Sequence, residues 1–147
     1  MLQGEAPLDP DRIEMAKLLI EFCKTRPKAV ILPDGTMLTH AGFPHTDLHD
    51  ALRGVADLSA KKCVEDFLWA RLSESPKKRP NRLGGRGHEF GWRDFAQFCR
   101  IMADTVKVPV RQLIRGHDHV PARWQFPAEY AEFPVLTINA MGRRLDA

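Results

Sequence analysis

Behind Asp9-Pro10-Asp11, the residues Ile13, Ala16, Leu19, Ile20 and Cys23 recur at helical spacing. This predicts a helix capped by Asp9, with Pro10 in its first turn and an end near residues 25–27. The period then shortens. Two apolar runs, residues 29–32 and 36–39, flank Pro33-Asp34-Gly35, and an Asp-Gly turn between such runs predicts a β-hairpin ending at His40. A second helix is expected from a Ser59 cap through Leu72, with Val64, Phe67, Leu68 and Leu72 inward. A third, over residues 91–102, carries Phe95, Phe98, Cys99 and Met102 as its apolar stripe. Residues 110–114, 124–126 and 135–138 read as short strands, and there is no internal repeat. Helices alternating with short strands point to a layered α/β sheet in a single domain.

Composition narrows the class of protein. At 147 residues, 44% apolar and 28% charged, the chain has the make-up of one soluble globular domain or a piece of one. No apolar run approaches the roughly 20 residues of a membrane helix. The start, Met1-Leu2-Gln3-Gly4-Glu5, has neither the basic residues nor the apolar core of a signal sequence, which leads us to expect a cytoplasmic protein. Three widely spaced cysteines, Cys23, Cys63 and Cys99, are expected as reduced core thiols. The net charge of +3 is too small to imply a nucleic-acid partner, but residues 71–93 hold seven Arg or Lys against two Glu. Residues 73–81 in that stretch have the Pro, Ser and charge content of an exposed loop, whereas Arg86 sits among glycines, where an anion can be approached closely.

Two histidines occupy matching positions. His40 follows the second hairpin strand, His117 follows the run Gln112-Leu113-Ile114-Arg115-Gly116, and each has a glycine within two residues. A His at the end of a strand reads either as a satisfied loop side chain or as a metal ligand; two at equivalent places strengthen the second reading. His45 and His49, four apart, would share a helix face and could ligate a metal with His40, but both are expected on a solvent-exposed helix surface. His88 and His119 each adjoin a candidate residue, with Glu89 and Asp118 as the nearest carboxylates in sequence.

Taken together, His40-Ala41-Gly42, Asp66-Phe67-Leu68-Trp69, Arg86-Gly87-His88-Glu89-Phe90-Gly91 and Arg115-Gly116-His117 resemble, in order, the second half of the calcineurin-like metallophosphoesterases, closest to the serine/threonine phosphoprotein phosphatases. The resemblance covers about residues 28–140. It implies the C-terminal half of a layered α/β-sandwich domain and hydrolysis of phosphomonoesters at a binuclear centre of manganese, iron or zinc. His40 and His117 would be ligands to one metal, and Arg86 would contact substrate phosphate. The implied partner is a phosphorylated substrate, a protein above all. His-Ala-Gly also resembles the symmetrical dinucleoside polyphosphate hydrolases, although the Arg-Gly-x-x-Phe-Gly segment is similar to the protein phosphatases. The family's first-half motifs, Gly-Asp-x-His-Gly, Gly-Asp-x-x-Asp-Arg-Gly and Gly-Asn-His-Glu, do not occur in these 147 residues. Nor does its Ser-Ala-Pro-Asn-Tyr ending, replaced by Asn139-Ala140-Met141-Gly142-Arg143, and Arg71 stands where eukaryotic members carry Asp. The chain alone is therefore expected to be inactive, completed by a segment or second chain that carries the first half. A rival reading is a non-catalytic module that binds a metal or an anion.

Overall fold

The computed structural model describes residues 9–139, so the N-terminal start and the closing motif from Ala140 onward lie outside the described residues. Helix α1, Pro10–Thr25, forms where its cap predicts: the Asp9 carboxylate accepts the Asp11 N–H at 3.0 Å, and Pro10 opens the helix. Its apolar stripe does not face a core. No residue of α1 is buried, and Leu18, Leu19 and Phe22 are each more than half exposed. Periodicity identifies an apolar face but not what covers it. Cys23 is accordingly exposed, a correction to the expected core thiol, while Cys63 and Cys99 are buried.

The hairpin is β1, Ala29–Ile31, against β2, Thr36–Thr39, with Gly35 at a left-handed φ of 86° in the turn. After α2, Thr46–His49, the expected second helix breaks up. Val55–Ser59 is a 3₁₀ turn held by Asp57, whose carboxylate accepts the Arg53 and Gly54 N–H groups. Helix α3 spans only Lys61–Trp69, with Ala60 rather than Ser59 at its cap. Arg71–Leu72 leaves it as strand β3, so Leu72 is not an inward helical position.

Part of the basic stretch expected as loop is also sheet. β3 pairs in parallel with β5, His88–Phe90, which pairs antiparallel with β4, Arg79–Pro80. Glu89 draws this ribbon together: it is buried, and its carboxylate receives Arg79 at 2.5 Å and Arg82 at 3.2 Å. Helix α4, Trp92–Ile101, keeps its expected stripe, with Phe95, Phe98 and Cys99 buried, and runs into a widened turn over Met102–Val106 that buries Met102.

Beyond it lie β6, Gln112–Arg115, β7, Trp124–Gln125, and β8, Val135–Ile138, each within two residues of its predicted limits. The larger sheet is mixed, in the order β1-β2-β6-β8-β7. Its central three strands are parallel and both edges antiparallel. The protein is thus mixed α/β, as expected, and among the described residues no helix is long and apolar enough to cross a membrane.

Strand alternation divides the larger sheet between a dry face and an open one. Met37, Leu113 and Val135 point into a core built around Phe43, whose ring meets those of Phe90, Phe95 and Phe98 at 4.6–5.1 Å between centroids. Val30, Leu38, Ile114 and Leu136 stand in register across four strands on the opposite face, and none belongs to that core. Gly42 marks a close approach to the core: a Cβ there would lie 2.7 Å from that of Ala70 and 2.9 Å from the Phe90 ring.

Candidate functional site

Parallel strands β2 and β6 end side by side, with Thr39 paired to Arg115, so the residues that follow them emerge at the same edge. In α/β sheets the carboxyl ends of parallel strands are where ligands bind. The Gly116 N–H donates to the His40 carbonyl at 3.0 Å, extending the ladder by one bond. His117 then turns back at φ 69°, an uncommon conformation for a side-chain-bearing residue and one found at functional sites. The result is that Nδ1 of His117 stands 3.1 Å from Nε2 of His40. The two sequence candidates, 77 residues apart, are brought together.

The pair suits a divalent metal in its chemistry and spacing. Two nitrogens about 2.0–2.1 Å from one ion, at angles of about 90–110°, would stand about 2.8–3.4 Å apart. Burial, and then the positive charge of Arg71, hold the His117 imidazole down to about 4, so it is neutral and able to ligate at neutral pH. Among the described residues no third His, Cys, Asp or Glu completes a metal-holding group with them.

Arg86 is not in direct contact with the histidines. Its guanidinium carbon lies 5.8 Å from the centre of the Trp69 ring, and the other neighbour of that ring is His117, edge-on at 6.0 Å between centroids. Trp69 therefore links the two halves of the site. Gly87 makes this possible, since with φ 82° and the Trp69 carbonyl 2.4 Å from where a Cβ would sit, only glycine lets the loop carrying Arg86 lie on the end of α3.

Arg86 and Trp69 line a cleft of about 810 Å³ that also takes in Lys61, Lys62, Asp66 and Lys78. His45 and His88 lie at its wall with rings 4.4 Å apart, edge to face. Burial first, and then the neighbouring positive charge, lowers both imidazoles to about 4, while burial raises the Asp66 carboxyl to about 6. Asp66 faces His88 at 3.5 Å and accepts the His45 N–H at 2.8 Å; Lys78 reaches His45 at 3.0 Å and Asp47 at 3.1 Å.

Several expectations about histidines need correction here. His49 is buried, with Nε2 3.0 Å from the Pro44 carbonyl oxygen and its ring beside Phe98, because α2 is one turn laid against α4 and has no solvent face at that position. His45 is also buried rather than on a solvent-facing helix surface, because it is the N-cap of α2, its Nδ1 accepting the Asp47 N–H at 3.1 Å. Glu89 does not orient His88, being committed to arginines, and the carboxylate beside His88 is Asp66. Asp118 does not orient His119, which is exposed; it is bound by Arg71 at 2.7 Å and Arg115 at 2.5 Å.

Compared with protein-family models and with curated proteins, the chain matches none.

Sequence reasoning passed over Trp69, Asp66 and Arg115 as site residues. For Arg115 a signal exists: alternation along Gln112–Arg115 puts it on the same inward face as Leu113, where a charge needs a built partner, and Asp118 follows three residues on.

Proposed function

We propose that this chain contributes part of a metal-dependent phosphoesterase centre, most like that of a serine/threonine protein phosphatase acting on phosphomonoesters. In this reading His40 and His117 hold one divalent ion, manganese, iron or zinc, and Arg86 orients phosphate. The observation that carries it is the 3.1 Å approach of two imidazole nitrogens at the carboxyl ends of neighbouring parallel strands. When bound, metal of this kind supplies hydroxide at neutral pH and offsets charge on phosphate.

The chain's own residues have narrower tasks. His117, held neutral, offers a lone pair without first losing a proton. Arg86 is exposed at the rim of the cleft, with no carboxylate partner among the described residues, leaving its planar fork free for two phosphate oxygens. Carboxylates that would bridge a second ion come, on this proposal, from a segment or second chain that carries the first half of the α/β-sandwich domain, of which the described residues form the C-terminal half. The lack of a third ligand beside the histidines also fits a second reading, a metal- or anion-binding module without turnover.

Hydrolysis of p-nitrophenyl phosphate by the chain with manganese is expected at trace rates at most. Binding of inorganic phosphate in the presence of manganese should weaken about tenfold or more in Arg86→Ala, the loss of a charge-assisted pair. Phosphate binding indifferent to Arg86 would remove that residue from the site. Strong turnover abolished by His117→Ala would show that no outside carboxylates are needed.

A further inference from the structure

Arg115 is the most completely buried charge in the described structure, its side chain having 0% exposure. An ion taken out of water that far is tolerated only where partners satisfy it, and as a pure stabiliser it is rarely better than an apolar residue of its size. Where its bonds go is therefore informative. Nε donates to the Ala41 carbonyl, Nη2 to the Ala70 carbonyl at 3.2 Å, and Nη1 to the Asp118 carboxylate at 2.5 Å and to the Thr137 hydroxyl at 3.3 Å. Ala41 follows His40, Ala70 follows Trp69, and Asp118 follows His117. One guanidinium thus grips the backbone or side chain next to each of three site residues and anchors them all to β8.

Other groups support the same arrangement. The Phe90 ring lies 5.6 Å from the guanidinium carbon, Arg71 holds the second Asp118 oxygen, and the Leu72 N–H donates to the first at 3.1 Å. Asp118 cannot move without breaking three bonds, and His117, one residue earlier, is kept in its left-handed turn. Lysine could not substitute, because one ammonium with three donors at a single point cannot meet four acceptors on four separate segments, whereas the broad rigid fork of arginine can.

We propose that Arg115 is a positioning residue: through Ala41, Ala70 and Asp118 it sets the separation of His40 and His117, and with it the affinity of the pair for a divalent ion. The metal part of this rests on the function proposed above; the positioning part does not.

The test compares wild type, Arg115→Lys, Asp118→Asn and Glu89→Gln. Glu89→Gln is the control, since it breaks a buried arginine–carboxylate network of similar kind that touches neither histidine. Two quantities are read: zinc affinity by calorimetry, and the imidazole ¹⁵N resonances of His40 and His117 in metal-free protein. Arg115→Lys and Asp118→Asn are expected to weaken zinc binding about 10- to 100-fold, the usual cost of losing a group that orients a ligand. Both should also shift the His117 resonances, while Glu89→Gln lowers the melting temperature and moves neither quantity. Equal zinc affinity and unchanged imidazole signals in either folded variant would overturn the proposal, as would an equal loss in Glu89→Gln. If Arg115→Lys does not fold, Asp118→Asn decides. If wild type binds no zinc, the metal reading fails and the imidazole signals still decide the positioning role.

Discussion

Acidification from pH 7 to pH 4 is expected to unfold this protein cooperatively, with the steepest loss of stability between about pH 6.5 and 4. His45, His88 and His117 have folded-state values near 4 against an ordinary 6.5, because burial disfavours their charged forms. In that window the unfolded chain binds protons at these three sites and the folded chain does not, so stability falls as pH falls. Asp66 works the other way. Its folded value, about 6, lies above the ordinary 3.8, so the folded state holds an extra proton there between those limits. Burial also lowers His49 and raises Asp94, which act in opposite directions, so the three imidazoles outweigh Asp66 and unfolding takes up protons near pH 5. Asp118 and Glu89, held below their ordinary ranges by arginines despite burial, add further loss below pH 4. Urea midpoints at pH 7, 6, 5 and 4.5 check this; a midpoint constant from pH 7 to 4.5 would contradict it.

A second large effect is expected in association. Leu18, Leu19 and Phe22 form an exposed apolar surface on α1, and the half-buried row Leu38, Ile114 and Leu136 with exposed Val30 leaves a second apolar face outside the core; exposed apolar surface of the α1 kind draws in other molecules. The isolated chain should bind a hydrophobic dye and sediment above its monomer mass of 16.7 kDa at micromolar concentration. The triple variant Leu18→Glu, Leu19→Lys, Phe22→Glu should bind clearly less dye and shift towards monomer. Its unfolding free energy should stay within about 0.5 kcal/mol per substitution of wild type, because these side chains are more than half exposed and none is buried in the folded chain. A monodisperse wild type without dye binding, or a variant that loses cooperative unfolding, would show that α1 packs against the rest of the protein.

How far the sequence reveals this arrangement depends on the range of the interaction that fixes each part. α1, the hairpin and α4 are set by local chemistry: the Asp9 cap, the Asp34-Gly35 turn, and the stripe Phe95, Phe98, Cys99 and Met102. All three form where the pattern puts them. β3 and β4 are two residues each and exist because β5 lies between them, with Glu89 drawing in Arg79 and Arg82; nothing local distinguishes such a ribbon from a basic loop. The Ser59 helix failed for the opposite reason, since Asp57 captures the Arg53 and Gly54 N–H groups and starts a separate turn upstream.

In the site, His40 and His117 were visible because each ends a strand, and their pairing follows from the parallel register of β2 and β6. Trp69 and Asp66 act through contacts across α3 and the loop of Arg86, which no spacing announces. The burial of His49 likewise depends on α4 lying over it.

The central claim is that His40 and His117 form one half of a divalent metal site. Titration of cobalt into wild type, His117→Ala and the His40→Ala, His117→Ala double variant tests it most directly, read by heat and by the visible absorption of bound cobalt. One weak site per chain is expected in wild type, with cobalt bands that shift towards nitrogen ligation, and no such site in either variant. Identical isotherms and spectra for all three proteins would contradict it.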